Sequence, residues 1–231
     1  MIDLFFFPSP NTWKVSIALE EMGEPYRIVP IDITAGAQHD PAFRAISPNG
    51  RVPAIRDAAR GVTLFESGAI LMWLAERNGR LLPREAHARW QAVQWLFWQV
   101  GGLGPMAGQA HHFSRYAPAG QDYARRRYQG ECARLYGVLD TALAQRPYLA
   151  GSYSIADIAC WAWVWFHPMH GIDLGRFPNV ASWYHAIGAR PEVRRGRAAG
   201  LDMVSDEVRR LFEGPAYAQP LDHAAARTQV A

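Results

Sequence analysis

Ser47-Pro48-Asn49-Gly50-Arg51-Val52-Pro53-Ala54-Ile55-Arg56-Asp57, followed after a short gap by Leu64-Phe65-Glu66-Ser67-Gly68-Ala69-Ile70-Leu71-Met72-Trp73-Leu74, is the stretch on which the fold turns. Residues 47–50 form a turn by composition, since Pro presets φ and Asn-Gly tolerates φ > 0. A short apolar strand follows at residues 52–55. Because Pro53 has no N–H to give to a ladder, that strand is an edge or begins at the proline. With a trans Val52-Pro53 bond this is a plain strand start. A cis bond turns the N–H and C=O of Val52 outward, where an extended peptide could pair with them. Leu64-Phe65 ends the next strand, and Glu66-Ser67-Gly68 opens a helix running to Glu76. Free N–H groups and the positive dipole end gather there, so Ser67 can cap the helix and still meet a ligand, while Glu66 could take an ammonium group. Simple capping is the plainer account of both residues.

Upstream, residues 2–7 read as a strand by aromatic and apolar density, stopped by Pro8-Ser9-Pro10-Asn11. Val15, Ala18, Leu19 and Met22 keep the i, i+3, i+4, i+7 spacing of an amphipathic helix. Residues 26–33 form a second strand, so the first two strands should be parallel with a right-handed crossover. A loop at residues 35–40, a short helix at 41–45, an edge strand at Val52 and another strand near 62–65 complete a β-α-β-α-β-β-α order. That order fits a thioredoxin-like α/β domain over residues 1–77.

Asn78 to Pro83 is a break punctuated by Gly and Pro, and residues 78–87 read as a linker. Residues 88–212 read as an all-helical domain. Trp90, Val93, Phe97 and Val100 form a helical stripe until Gly101 to Pro105 kinks or ends it. A second helical tract runs from 116 to 143, interrupted at Pro118 to Gly120. Ser154 and Asp157 form a capping box at the start of a buried helix, a folding role. Further helices fall at 178–189 and 192–198, and residues 213–231 read as a loose tail.

The chain has 231 residues, 49% of them hydrophobic, enough for a substantial core. No apolar run approaches the ~18 residues of a membrane span, and the opening residues lack a basic leader segment, so a cytoplasmic protein without membrane association is expected. The net charge of +3 rests almost entirely on arginine, Lys14 being the sole lysine. The dense runs at 125–127 and 190–197 lack aromatic interleaving and read as solvated helix faces, with no nucleic-acid partner implied. Cys132 and Cys160 are too few and too far apart for a disulfide framework or a metal pair, and read as buried and inert. His111 and His112 are adjacent and point apart; without further ligands at metal spacing they read as structural or as part of a second-substrate pocket, and no metal is expected. Trp95, Trp98 and Phe113 read as core or dimer-facing.

Three motifs in this order, Asn49-Gly-Arg-Val-Pro-Ala54, Phe65-Glu-Ser-Gly-Ala-Ile70 and Ser154-Ile-Ala-Asp-Ile-Ala159, resemble the cytosolic glutathione transferase superfamily over residues 1–212. The blocks at 8–11, 95–106 and 109–113 are similar to its nu-class branch of bacterial glutathione-dependent disulfide-bond oxidoreductases. The resemblance implies a homodimer that binds glutathione as co-substrate, or glutathione disulfide, and acts on a small disulfide or electrophile. It implies Val52 on the cysteinyl backbone of glutathione, Glu66 and Ser67 on its γ-glutamyl end, and Gln38 and Arg51 on its other polar parts. The branch commonly carries lysine at position 51, and Arg51 keeps the charge with a different reach. Arg127 matches a helical-domain arginine that reaches the ligand, while its neighbours Arg125 and Arg126 give weight to the alternative of a solvated basic face.

The nucleophile in disulfide exchange is a thiolate, and a free thiol of pKa ~8.5 is mostly protonated at neutral pH. The turn at residues 8–12 offers free N–H groups, a dipole end, the Ser9 hydroxyl and the Asn11 amide as donors to sulfur. It holds no cysteine or tyrosine, so bound glutathione itself should attack the disulfide and a second glutathione resolve it. Turn formation and helix capping explain Ser9 and Asn11 about as well, each taken alone. The other readings are a conjugating or isomerising glutathione transferase, and a regulatory protein that binds glutathione without catalysis.

Overall fold

The computed structural model describes residues 1–206 and 209. The loose tail expected at 213–231, and the last turns of the helical stretch expected to reach 212, lie outside them.

Strand β1 (Ile2–Phe6) is followed by α1 (Pro10–Met22) and β2 (Tyr26–Pro30), and β1 and β2 are parallel with Leu4 opposite Ile28. The short helix α2 (Pro41–Arg44), then β3 (Ala54–Asp57), β4 (Val62–Phe65) and α3 (Ser67–Asn78) complete the α/β part. The sheet order is β2-β1-β3-β4, with β3 antiparallel to both neighbours. The strand expected at an edge is therefore interior. It starts at Ala54, directly after Pro53, where the missing N–H costs no ladder bond. The Val52-Pro53 bond is cis, and Val52 stands outside the ladder.

The helical part contains α4 (Ala86–Trp98), α5 (Gly104–Arg115), α6 (Asp122–Leu143), α7 (Ile155–Val164), α8 (Pro178–Gly188) and α9 (Pro191–Ala198). The break expected near residues 101–105 is a π turn over Gln99–Leu103 that carries α4 into α5, with Pro105 in the first turn of α5. The widened turn is where this continuous helix takes up a proline, which has no N–H to donate back into it. At the start of α7, the buried Asp157 carboxylate accepts from Leu149 N, Ser154 N, Ser154 Oγ and Trp183 Nε1. Burial raises its carboxyl to about 6, and these four donors offset only part of that desolvation; its partners make it a folding residue.

The two parts share one buried cluster, because α1 packs against α3, α7 and α9 at once. The arginine run at 190–197 is not simply a solvated face. Arg190 forks onto Glu21, Arg195 reaches Glu20, and Arg197 lies over the Trp13 and Trp165 rings, so the run ties α9 to α1. Cys132 and Cys160 are fully buried free thiols, and burial pushes the Cys132 thiol up to about 12. No helix among the described residues is long and apolar enough to cross a membrane.

Candidate functional site

A cleft of about 730 Å³ opens where the starts of α1 and α3 and the turn before β3 face the π turn, α5 and α7. Its volume suits a small-molecule ligand. Ser9, Asn11, Gln38, Arg51, Val52, Glu66 and Ser67 all line it. Arg127 does not: it is exposed on α6 and lines a separate hollow with Met106, Tyr128 and Glu131.

One wall is the N-terminus of α1. Ser9 is its cap, accepting from Thr12 N at 3.3 Å, while Ser9 N donates to Thr12 Oγ1 at 3.1 Å. The Thr12 hydroxyl lies 2.6 Å from Phe7 O and donates there, which leaves Thr12 Oγ1, 3.0 Å away, as an acceptor for the Ser9 hydroxyl. Ser9 is thus committed to the turn in most of its bonding capacity. Asn11 is different. Its Oδ1 accepts from Trp163 Nε1 at 3.0 Å, and since an indole N–H only donates, the amide orientation is determined. Asn11 Nδ2 keeps both hydrogens free of any protein acceptor among the described residues. Trp163 reaches this position by lying against Gly104 and Gly108 on α5, where added Cβ atoms would stand 3.4 and 3.3 Å from its ring.

The opposite wall runs from the turn at Ser47 to the start of α3. Ser47 Oγ donates to Arg51 O at 2.8 Å and closes the turn. Gly50 holds φ +61, and a Cβ added there would stand 3.1 Å from Gln38 O, so any other residue would be both strained and crowded. Among the described residues, nothing pairs with the backbone of Val52 at the cleft. Glu66 has φ 69 and ψ 112, a conformation that costs a non-glycine residue roughly 1–3 kcal/mol and that clusters at ligand sites. Glu66 precedes α3 and Ser67 is its first helical residue; neither side chain caps the helix, contrary to the expected cap at Ser67. The Ser67 hydroxyl is engaged by Lys14 instead.

Lys14, Gln99 and Trp163 line the cleft and were not singled out by sequence reasoning. The status of Lys14 as sole lysine was the one available signal. Burial lowers its amine to about 7, partly opposed by the Cys160 thiol and the Glu66 carboxylate. His111 and His112 line no part of the cleft. Burial, with Arg115 and His112 nearby, lowers His111 to about 4 and keeps it neutral, stacked on Tyr116. Among the described residues, no group of three or more His, Cys, Asp or Glu could hold a metal ion.

Comparison with known proteins adds to this geometry. Residues 8–77 match the glutathione S-transferase N-terminal domain family and residues 105–191 the C-terminal domain family. The disulfide-bond oxidoreductase YfcG of Escherichia coli is 49% identical over 213 residues, covering 90% of this chain and 98% of the relative. A glutathione transferase of Burkholderia graminis, solved with two glutathione molecules per subunit, superposes with a TM-score of 0.79 at 40% identity, over 86% of this chain and 88% of that one. One from Pseudomonas putida, with a glutathione disulfide per subunit, gives 0.81 at 39% identity, over 86% of this chain and 91% of the other.

Proposed function

Since the chain belongs to the glutathione S-transferase family, we propose that it is a glutathione-dependent disulfide-bond oxidoreductase whose thiol donor is held between Asn11 and the Val52 to Ser67 wall. The unpaired backbone of Val52 pairs with the cysteinyl residue of glutathione. Ser67 and the N-terminus of α3 take the γ-glutamyl carboxylate, and Glu66 takes its ammonium group. Gln38 and Arg51 meet the remaining polar parts. The observation that carries the reading is the Asn11 amide, oriented by Trp163 with its NH₂ free at the positive end of α1. Such donors favour a thiolate over a thiol.

The bound thiolate attacks one sulfur of the substrate disulfide. A glutathione mixed disulfide forms, and the other substrate sulfur leaves as a thiolate. A second glutathione thiolate then attacks the mixed disulfide, giving glutathione disulfide and the second substrate thiolate. The protein's contribution is position and electrostatics, since its two cysteines are buried away from the reaction. The bound states of the two solved relatives, two glutathiones in one and the disulfide in the other, support this stoichiometry. Trp90 and Phe97, seven residues apart on α4 and each about two-thirds exposed, form an apolar face that supports a homodimer.

The test is glutathione-dependent reduction of hydroxyethyl disulfide by the purified protein. A rate well above the uncatalysed exchange is expected. Asn11→Ala should lower kcat/KM by about 10²-fold, the usual loss for one donor aimed at developing charge. No rate enhancement would sink the reading, and faster turnover of a chlorinated aromatic than of disulfides would favour a conjugating transferase.

A further inference from the structure

Building on the glutathione site proposed above, we infer that Lys14 is a positioning residue that turns the Ser67 hydroxyl toward the γ-glutamyl carboxylate, so that the charge on this one amine sets how tightly glutathione is held.

Lys14 follows Asn11 by three residues on α1 and so shares its face of the helix. It is only 2% exposed. Its Nζ donates to Gln99 Oε1 at 2.6 Å and to Ser67 Oγ at 3.3 Å, and no carboxylate lies within ion-pair distance among the described residues. An ammonium has three donors and no acceptor, so Ser67 Oγ can only accept from it. The Ser67 proton is then left for the cleft, because no other protein acceptor for it exists among the described residues. A neutral amine carries a lone pair and can accept that proton instead. The hydroxyl would then turn inward, and the ligand carboxylate would lose both its donor and the nearby positive charge.

Gln99 suits this arrangement. A glutamate there would form a buried ion pair and hold the amine charged, whereas the neutral amide tolerates both states. Its Nε2 is buried without a partner among the described residues, and the absence of a side chain at Gly104 leaves it room, since a Cβ there would stand 2.7 Å from it. The π turn that carries Gln99 is a common device for presenting a functional side chain. Every other basic side chain on the chain outside the histidines is an arginine, which stays charged throughout the physiological range. Lys14, lowered to about 7 by burial, titrates where the cell operates.

The groups facing Lys14 are few. Glu66 before α3 and Cys160 on α7 both favour its charge. The arginines of α9 are engaged elsewhere: Arg190 on Glu21, Arg195 on Glu20, and Arg197 over Trp13.

The test is calorimetric binding of S-methylglutathione, whose blocked sulfur removes thiol ionisation from the measurement. The wild-type Kd should rise about tenfold between about pH 6 and about pH 8, one decade per pH unit once the amine is neutral. Gln99→Glu should hold the amine charged and flatten that rise. Lys14→Met should bind weakly and with no such rise; a buried ammonium is not needed for folding, and an apolar chain of similar length is commonly tolerated. Wild type and variants share the ligand's own titrations, so the difference between them belongs to the amine. In protein labelled with carbon-13 lysine, the single lysine signal should titrate near neutrality and shift to higher pH when the ligand binds. A Kd for wild type that parallels that of Lys14→Met across the range, or a lysine signal titrating near its ordinary value of about 10.4, overturns the inference. Absence of binding at every pH overturns the glutathione site itself.

Discussion

Asn11 illustrates how the chemical role proposed for one residue depends on a distant neighbour. Taken by itself, an Asn in the first turn of a helix is a turn former. With its Oδ1 held by Trp163, its remaining donors have a direction. Trp163→Phe keeps an aromatic side chain, though a smaller one, and removes the N–H, so the amide can rotate and present either end to sulfur. The expected result is a loss of about tenfold in kcat/KM for disulfide reduction, the worth of one neutral hydrogen bond, with S-methylglutathione affinity changed less than about threefold. An equal loss in both quantities would place Trp163 in binding instead. Ser9 is the weaker catalytic candidate, since its hydroxyl is engaged within the Phe7–Thr12 turn.

Among the elements, α1 couples the cleft to the core, because it presents both Asn11 and Lys14 while packing on α3, α7 and α9. Its contact with α9 is close enough to be backbone on backbone. Ser16 Oγ donates to Gly196 O at 2.6 Å, and a Cβ on Gly196 would lie 2.5 Å from Ile17 Cα. No rotamer relieves that overlap. Gly196→Ala is therefore expected to destabilise the fold by on the order of 3 kcal/mol, read as a lower urea midpoint with an unchanged slope. Disulfide reductase activity should fall with it, because α1 must shift. An unchanged midpoint would mean that α9 can move away freely.

For the whole molecule, the decisive feature is that the cleft lies between an α/β part and a helical part that share one core. The walls are thereby held in a common frame, which suits catalysis by positioning. The exposed Trp90 and Phe97 lie on α4, whose continuation into the π turn supplies Gln99 and Val100 to that cleft, with the partly exposed Phe65 across from them. Association through this face would bury it beside the site. Sedimentation should give about twice the 25.9 kDa chain mass, and Trp90→Glu with Phe97→Glu should give a folded monomer. A wild-type monomer at micromolar concentration would remove the dimer from the proposal.

The sequence by itself determined the order of elements, the cap at Ser154, the turn before β3, and most residues of the proposed glutathione wall. All of these are local: they depend on side-chain period, on Pro and Gly, and on donors within a few positions. Tertiary structure decided the rest. It placed β3 inside the sheet, engaged Ser67 with an amine in place of a cap, and drew the arginines of α9 onto α1. It also joined Lys14 to Gln99 and Asn11 to Trp163, pairs 85 and 152 positions apart. Nothing in the local pattern marks such partners. A lysine reads as a solvated charge and a tryptophan as core until packing removes water from the first and points the N–H of the second at an amide.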